Sequence, residues 1–141
     1  MHWTVLCFLA LSLVSAASGQ SAAFACPATI PVSETAAPLD GWTAEAASST
    51  HRFKMPKIYN GKPRGEEYEL KPDGQKTVAK KTIFLWKLTD YRDLNLFVRC
   101  VYHGTSATVT ADIPAALKTC TATLELTPKG EVIGRSEMAC K

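Results

Sequence analysis

Cysteine placement constrains this chain more than any other feature. Past residue 25 there are four cysteines: Cys26, Cys100, Cys120 and Cys140. None belongs to a C-x-x-C pair, so the spacing of a zinc knuckle or a dithiol redox site is missing. Three of the four fall in segments that alternate with a period of two. Leu94, Leu96, Val98, Cys100 and Tyr102 share one face of a predicted strand, and Asn95, Phe97, Arg99 and Val101 share the other. Cys120, Ala122, Leu124 and Leu126 alternate with Thr119, Thr121, Thr123 and Glu125, and Val132, Met138 and Cys140 fall on one face of the last segment. Each of these sulfurs lies on the apolar parity of its strand, which suits a structural disulfide and not an exposed, reactive thiol.

The start of the chain says where such disulfides form. Val5 to Ala17 is an uncharged apolar run, too short to span a bilayer comfortably, which takes about 20 residues, but of the length of a signal-peptide core. Ala23-Phe24-Ala25 before Cys26 is an A-x-A cleavage pattern, and cleavage after Gly19 is a second option. The expected organisation is therefore a signal peptide over 1–25, which takes Cys7 with it, and a single β-rich domain over 26–141. An uncleaved anchor fits the length of the run poorly. A lipidated Cys26 is the other alternative, and Ala23 and Phe24 fit its recognition pattern poorly. Export to the periplasm or beyond makes an even set of four cysteines a two-disulfide framework. The net charge of +3 resides wholly in the mature part. That is too little for a nucleic-acid binder, a role that export also disfavours. No stable membrane span is expected after cleavage.

Turn signals divide the mature chain into short strands. Two prolines keep 26–32 off a central strand position, and 33–50, rich in Ala, Ser and Thr, suggests no regular element beyond one helical turn at 44–47. His51 to Ile58 reads as a strand interrupted at Pro56. Asn60-Gly61 and Pro72-Asp73-Gly74 read as turns. Thr82 to Leu88 is apolar on both faces, as in a buried central strand, and Val109, Ala111 and Ile113 alternate with polar neighbours. The fold class is mainly β: an antiparallel sheet, meander or small sandwich stapled by two disulfides. Four cysteines allow three pairings. Pairing Leu126 with Val132 sets Cys120 opposite Met138, one diagonal from Cys140, and a small register shift or bulge brings the two sulfurs together. That favours Cys120–Cys140 and leaves Cys26 for Cys100.

Catalytic chemistry has little to stand on. His51 and His103 are the only histidines past the leader, and Ser106 lies near His103 only within a tight turn. Glu66, Glu67, Glu69 and Asp73 read as a solvated strand face, and Lys76, Lys80, Lys81 and Lys87 as surface charge. No metal ligands converge, no cofactor is implied, and no catalytic residue is expected. The stretch Tyr59 to Gly65 is the best recognition element. Tyr59, Asn60, Lys62 and Arg64 are the candidate binding residues, because aromatic and Arg side chains make good interface anchors.

Longer matches of order add to this. Cys-Pro-Ala-Thr-Ile at 26–30, Gly-Trp at 41–42, Tyr-Asn-Gly-Lys-Pro at 59–63, Leu-Lys-Pro-Asp at 70–73, Arg-Cys-Val-Tyr at 99–102, Ile-Pro at 113–114, Cys120 and the terminal Cys-Lys stand in sequence. In this the chain resembles a family of small exported bacterial proteins, some linked to type VI secretion gene clusters. The resemblance covers essentially the whole mature chain. It implies bacterial export and structural cysteines, supplies no catalytic residue, and makes an immunity or inhibitor role the leading expectation. The expected function is a non-enzymatic periplasmic binding module, such as an inhibitor or immunity protein acting on an envelope-directed enzyme, whose partner is another envelope or secreted protein. An envelope structural or secretion-accessory protein is the alternative.

Overall fold

The computed structural model describes residues 20–91 and 93–141, with only the backbone at 134 and 135. The apolar run of the expected signal peptide lies outside the described residues, whereas the last residues of the expected 1–25 segment, Ala22–Ala25, form a strand paired with the C-terminal one. The strands are β1 (Ala22–Ala25), β2 (Thr29–Thr35), β3 (Ala46–Gly61), β4 (Glu67–Leu70), β5 (Gly74–Val78), β6 (Lys81–Lys87), β7 (Leu96–Tyr102), β8 (Thr108–Ile113), β9 (Thr119–Leu126) and β10 (Val132–Cys140). Every pairing is antiparallel. One sheet has the order β1-β10-β9-β6-β5, the other β2-β3-β7-β8, with β4 added to β3. The two sheets share one core, so the expected β class resolves to a sandwich. Its buried residues include Phe53, Ile58, Val98 and Tyr102 from the second sheet and Trp86, Ala122, Leu124 and Met138 from the first.

Period-two alternation decides which side chains enter that core. In β7, Leu96, Val98, Cys100 and Tyr102 are buried, and in β9, Cys120, Ala122 and Leu124. The last hairpin shows how the register settles the cysteines. Val132 pairs with Leu126, a shift follows between Ile133 and Glu137, and Cys140 then lies directly opposite Cys120. That irregularity converts the diagonal relation expected from unbroken pairing into a cross-strand bond. The disulfides are Cys26–Cys100 and Cys120–Cys140. Cys26 stands where the chain leaves β1 for β2, and its bond to β7 fastens that crossing to the second sheet. With its sulfur in a disulfide, Cys26 has no thiol left to carry a lipid.

Several local expectations are corrected. Pro56 does not interrupt its strand: it pairs with Cys100 inside β3. It lies between Arg52, where β2 pairing ends, and Ile58, where β4 pairing begins, a stretch in which one edge of β3 has no ladder partner for a missing N–H to break. Strand β6 is central in its sheet but covered on one face only: Thr82 and Trp86 are buried while Leu85 is exposed. Leu94 and Val109 are also exposed, Leu94 because it precedes β7 and Val109 because β8 is a marginal strand. Only Ile113 of β8 is buried. Asn60-Gly61 does not reverse the chain. β3 runs through both residues, and the reversal comes at Lys62–Gly65, where the Gly65 N–H donates to the Lys62 carbonyl. Pro63 and Arg64, the latter at φ 65°, occupy the central positions of this turn, the pattern of a type II turn. Gly61 is needed for another reason: a Cβ there would collide with the Glu66 carbonyl. Pro72-Asp73-Gly74 carries the chain from β4 in one sheet to β5 in the other. The Trp86 indole N–H donates to the buried Leu70 carbonyl at 3.0 Å and secures this corner.

The stretch 33–50 is not irregular. β2 and the first part of β3 pair from Thr29↔Arg52 out to Thr35↔Ala46, and Leu39 bridges Trp42 at the end. Beyond Val32 this hairpin leaves the core, and residues 33–50 are exposed. With both faces in solvent, no apolar alternation marks it in the sequence.

Candidate functional site

The polar chemistry of this domain lies on the outer face of the second sheet and at the β3–β4 tip. Register brings Tyr59 of β3 opposite Phe97 of β7 and Glu69 of β4. The Tyr59 and Phe97 rings stack at 5.6 Å between centroids, and the Arg99 guanidinium lies 4.5 Å from the Tyr59 centroid. Phe97 is buried although it points away from the main core, because this cluster covers it. Arg99 donates two hydrogen bonds to Glu67, at 2.5 and 2.6 Å, in the bidentate geometry that makes Arg–carboxylate pairs strong. Arg99 holds the Glu67 carboxyl below the usual glutamate range, and Glu67 raises the Arg99 guanidinium in turn. Lys57 donates to Glu69 at 2.7 Å, and that bond raises the Lys57 ammonium. The glutamates expected as a solvated face are therefore divided: Glu67 and Glu69 are paired with cations, while Glu66 is exposed.

This arrangement separates the four predicted binding residues. Tyr59 belongs to the sheet face, and its hydroxyl donates to Glu69 at 3.3 Å. Asn60 and Lys62 line a shallow depression of about 510 Å³ together with Tyr68 and Leu94. Tyr68 and Leu94 are exposed apolar surface beside it. Sequence reasoning missed both, and the only signal was a large apolar residue at a polar-face or loop position. Arg64 is exposed at the crown of the turn, and its backbone N–H donates to Glu67. The tip is thus fixed from beneath by the Arg99–Glu67 pair while its cationic side chains reach outward.

The histidines meet as sequence alone did not suggest. His51 lies 2.7 Å through Nε2 from the Ser49 hydroxyl and 2.7 Å through Nδ1 from the His103 carbonyl. A carbonyl only accepts, so Nδ1 carries the proton, and in the neutral ring Ser49 donates to Nε2. The contacts match the base-and-orienter logic of nucleophilic sites, but Ser49 is exposed on an open strand. His51 braces the β2–β3 arm against the β7–β8 turn. Among the described residues no group of three or more His, Cys, Asp or Glu converges as metal ligands, and no helix is long and apolar enough to cross a membrane.

Fold and surface together define a disulfide-stapled β sandwich with an outward polar tip at the β3–β4 turn and an exposed β2–β3 arm. Residues 46–141 match the model of a family described as the Type VI secretion system Tli immunity protein, and the chain belongs to that family. It is accordingly an immunity protein, one that binds a partner effector. It is also 27% identical over 134 residues, 90% of this chain and 89% of the other, to an uncharacterised 16.3 kDa protein from the trpG 5′ region of Azospirillum brasilense. No solved structure matches the chain. Its disulfides fit an oxidising compartment.

Proposed function

We propose that this immunity protein works in the periplasm, without catalysis of its own, by capturing an effector directed at the cell envelope. The observation that carries the reading is the family match over 46–141. Two buried disulfides and the expected export signal support the compartment. The exposed setting of the Ser49–His51 pair, which braces the arm, supports a binding role over a catalytic one. In this reading Asn60, Lys62 and Arg64 contact the effector, while Tyr59 acts from beneath by holding the tip on the sheet. Loops on a rigid scaffold suit this task because little ordering entropy is lost on binding.

The test is calorimetric titration of the purified mature protein into candidate type VI effectors of the same bacterium, paired with an assay of effector toxicity. Tight binding and protection are expected, with Lys62→Ala/Arg64→Ala weakening both. Absence of binding by the unaltered protein defeats the immunity reading. Full binding by the double variant removes the tip from the contact.

A further inference from the structure

The β2–β3 arm is a second surface, unlike the first in shape and charge. Residues 33–50 carry Glu34, Asp40 and Glu45 and no Lys or Arg, although the whole chain has 16 basic against 13 acidic residues. At its end, the Trp42 N–H donates to the Leu39 carbonyl at 3.0 Å and the two residues form a bridge. This closes a tight turn at Asp40-Gly41, with Gly41 at φ 78°. The turn displays both side chains: Trp42 is 80% exposed and Leu39 67%. Tryptophan is costly to leave in water, and it dominates interface hot spots when it finds a pocket. Ordinary surfaces scatter single apolar residues, whereas here two crown a projecting arm that contributes nothing to the core. The matched family residues begin at Ala46, so the arm's tip lies outside the segment that defines the match.

We infer that the arm is an anchor which inserts Trp42 and Leu39 into an apolar pocket rimmed by Lys and Arg on the effector. The inference rests on the immunity reading and adds to it a contact of stated chemistry. Charge complementarity selects this occupant. Three carboxylates on an arm without cations are repelled by anionic lipid surfaces and by nucleic acid, and are drawn to a cationic rim. The arm and the Lys62–Gly65 turn lie at opposite ends of β3. Its 16 residues span at most about 50 Å at the usual rise per residue. They therefore touch different parts of the effector, and each is tested separately.

The experiment compares the unaltered protein, Leu39→Ser/Trp42→Ser, and Glu34→Lys/Asp40→Lys/Glu45→Lys for association with the effector that the unaltered protein binds, at low and at physiological salt. All the altered residues are exposed, so far-ultraviolet circular dichroism and the unfolding midpoint should be unchanged. Expected results are an affinity loss of about thirty-fold or more for the tip variant and, for the charge variant, slower association with a flatter salt dependence. The charge variant also decides the matter if the tip variant folds poorly. A loss under tenfold for the tip variant, or an unchanged salt dependence for the charge variant, overturns the anchor and leaves the immunity reading standing. Failure of the unaltered protein to bind removes both. The free protein is also mixed with phosphatidylglycerol vesicles. A blue shift in the emission of Trp42 there would mark a membrane contact and overturn the anchor as well. Trp86, already buried, gives no such change.

Discussion

The Cys26–Cys100 bond spans a sequence separation of 74 and the Cys120–Cys140 bond one of 20. Restricting the unfolded chain contributes with the logarithm of loop length, which assigns about 4.5 kcal/mol to the longer loop and about 3.3 kcal/mol to the shorter. Packing leaves that order intact, since all four cysteines are buried and truncation to alanine removes the same atoms from each pair. Native context widens the gap. Cys120 and Cys140 face each other in a ladder that backbone pairing already holds. The crossing at Cys26 depends on fewer bonds, chiefly Cys26 N–H to the Ser136 carbonyl, Phe53 N–H to the Ala28 carbonyl, and the Tyr102 hydroxyl to the Pro27 carbonyl. Cys26→Ala/Cys100→Ala should therefore lose at least about 1.2 kcal/mol more than Cys120→Ala/Cys140→Ala, in a domain whose total stability is of the order of 5–15 kcal/mol. Guanidinium unfolding of both variants, extrapolated to water with the slopes compared, measures this. An equal or larger loss for the Cys120–Cys140 pair would refute the loop argument. It would show that strain or residual structure in the unfolded state sets these energies.

Three further perturbations follow. Trp86→Phe keeps the ring in the core but leaves the Leu70 carbonyl without its donor, so unfolding should become easier by about 1–3 kcal/mol, as read by denaturant midpoint. Ala79 sits at φ 53° in the β5–β6 turn, a conformation that costs a non-glycine residue about 1–2 kcal/mol. Ala79→Gly should therefore raise the melting temperature by a few degrees, and a lowered one contradicts the strain. The Glu67 carboxyl is depressed by Arg99. Its contribution is present above the unfolded glutamate value of about 4.3 and is lost as pH falls through the lower folded value. Melting curves of Glu67→Gln and the unaltered protein should thus differ by a constant amount above about pH 5, begin to approach each other near the unfolded value, and converge only once pH has fallen below the folded one. A gap that persists at low pH would assign the effect to packing instead.

Much of the candidate site was legible only in part. Tyr59, Asn60, Lys62 and Arg64 stand out by residue type, but their division between a sheet face and an outward tip depends on β3 pairing with β4 on one edge and β7 on the other. Arg99 and Glu67, 32 residues apart, share no local pattern. The His51–Ser49 contact lies within two residues, yet the His103 carbonyl that orients the ring comes from 52 positions away.

What the sequence determined by itself is everything that follows from backbone geometry within one segment. Alternation fixed which face of β7, β9 and β10 is buried, and with it that Cys100, Cys120 and Cys140 point into the core. Tertiary structure decided what local geometry leaves open. The irregularity in β10 set Cys140 opposite Cys120, Pro56 found the unpaired stretch of β3, and residues 33–50 became an arm rather than a loop. A side chain's face is a property of its own dihedrals. The choice of neighbouring strand depends on apolar area buried by residues far apart in the chain, and on an arm exposed on both faces no such burial leaves a pattern to read.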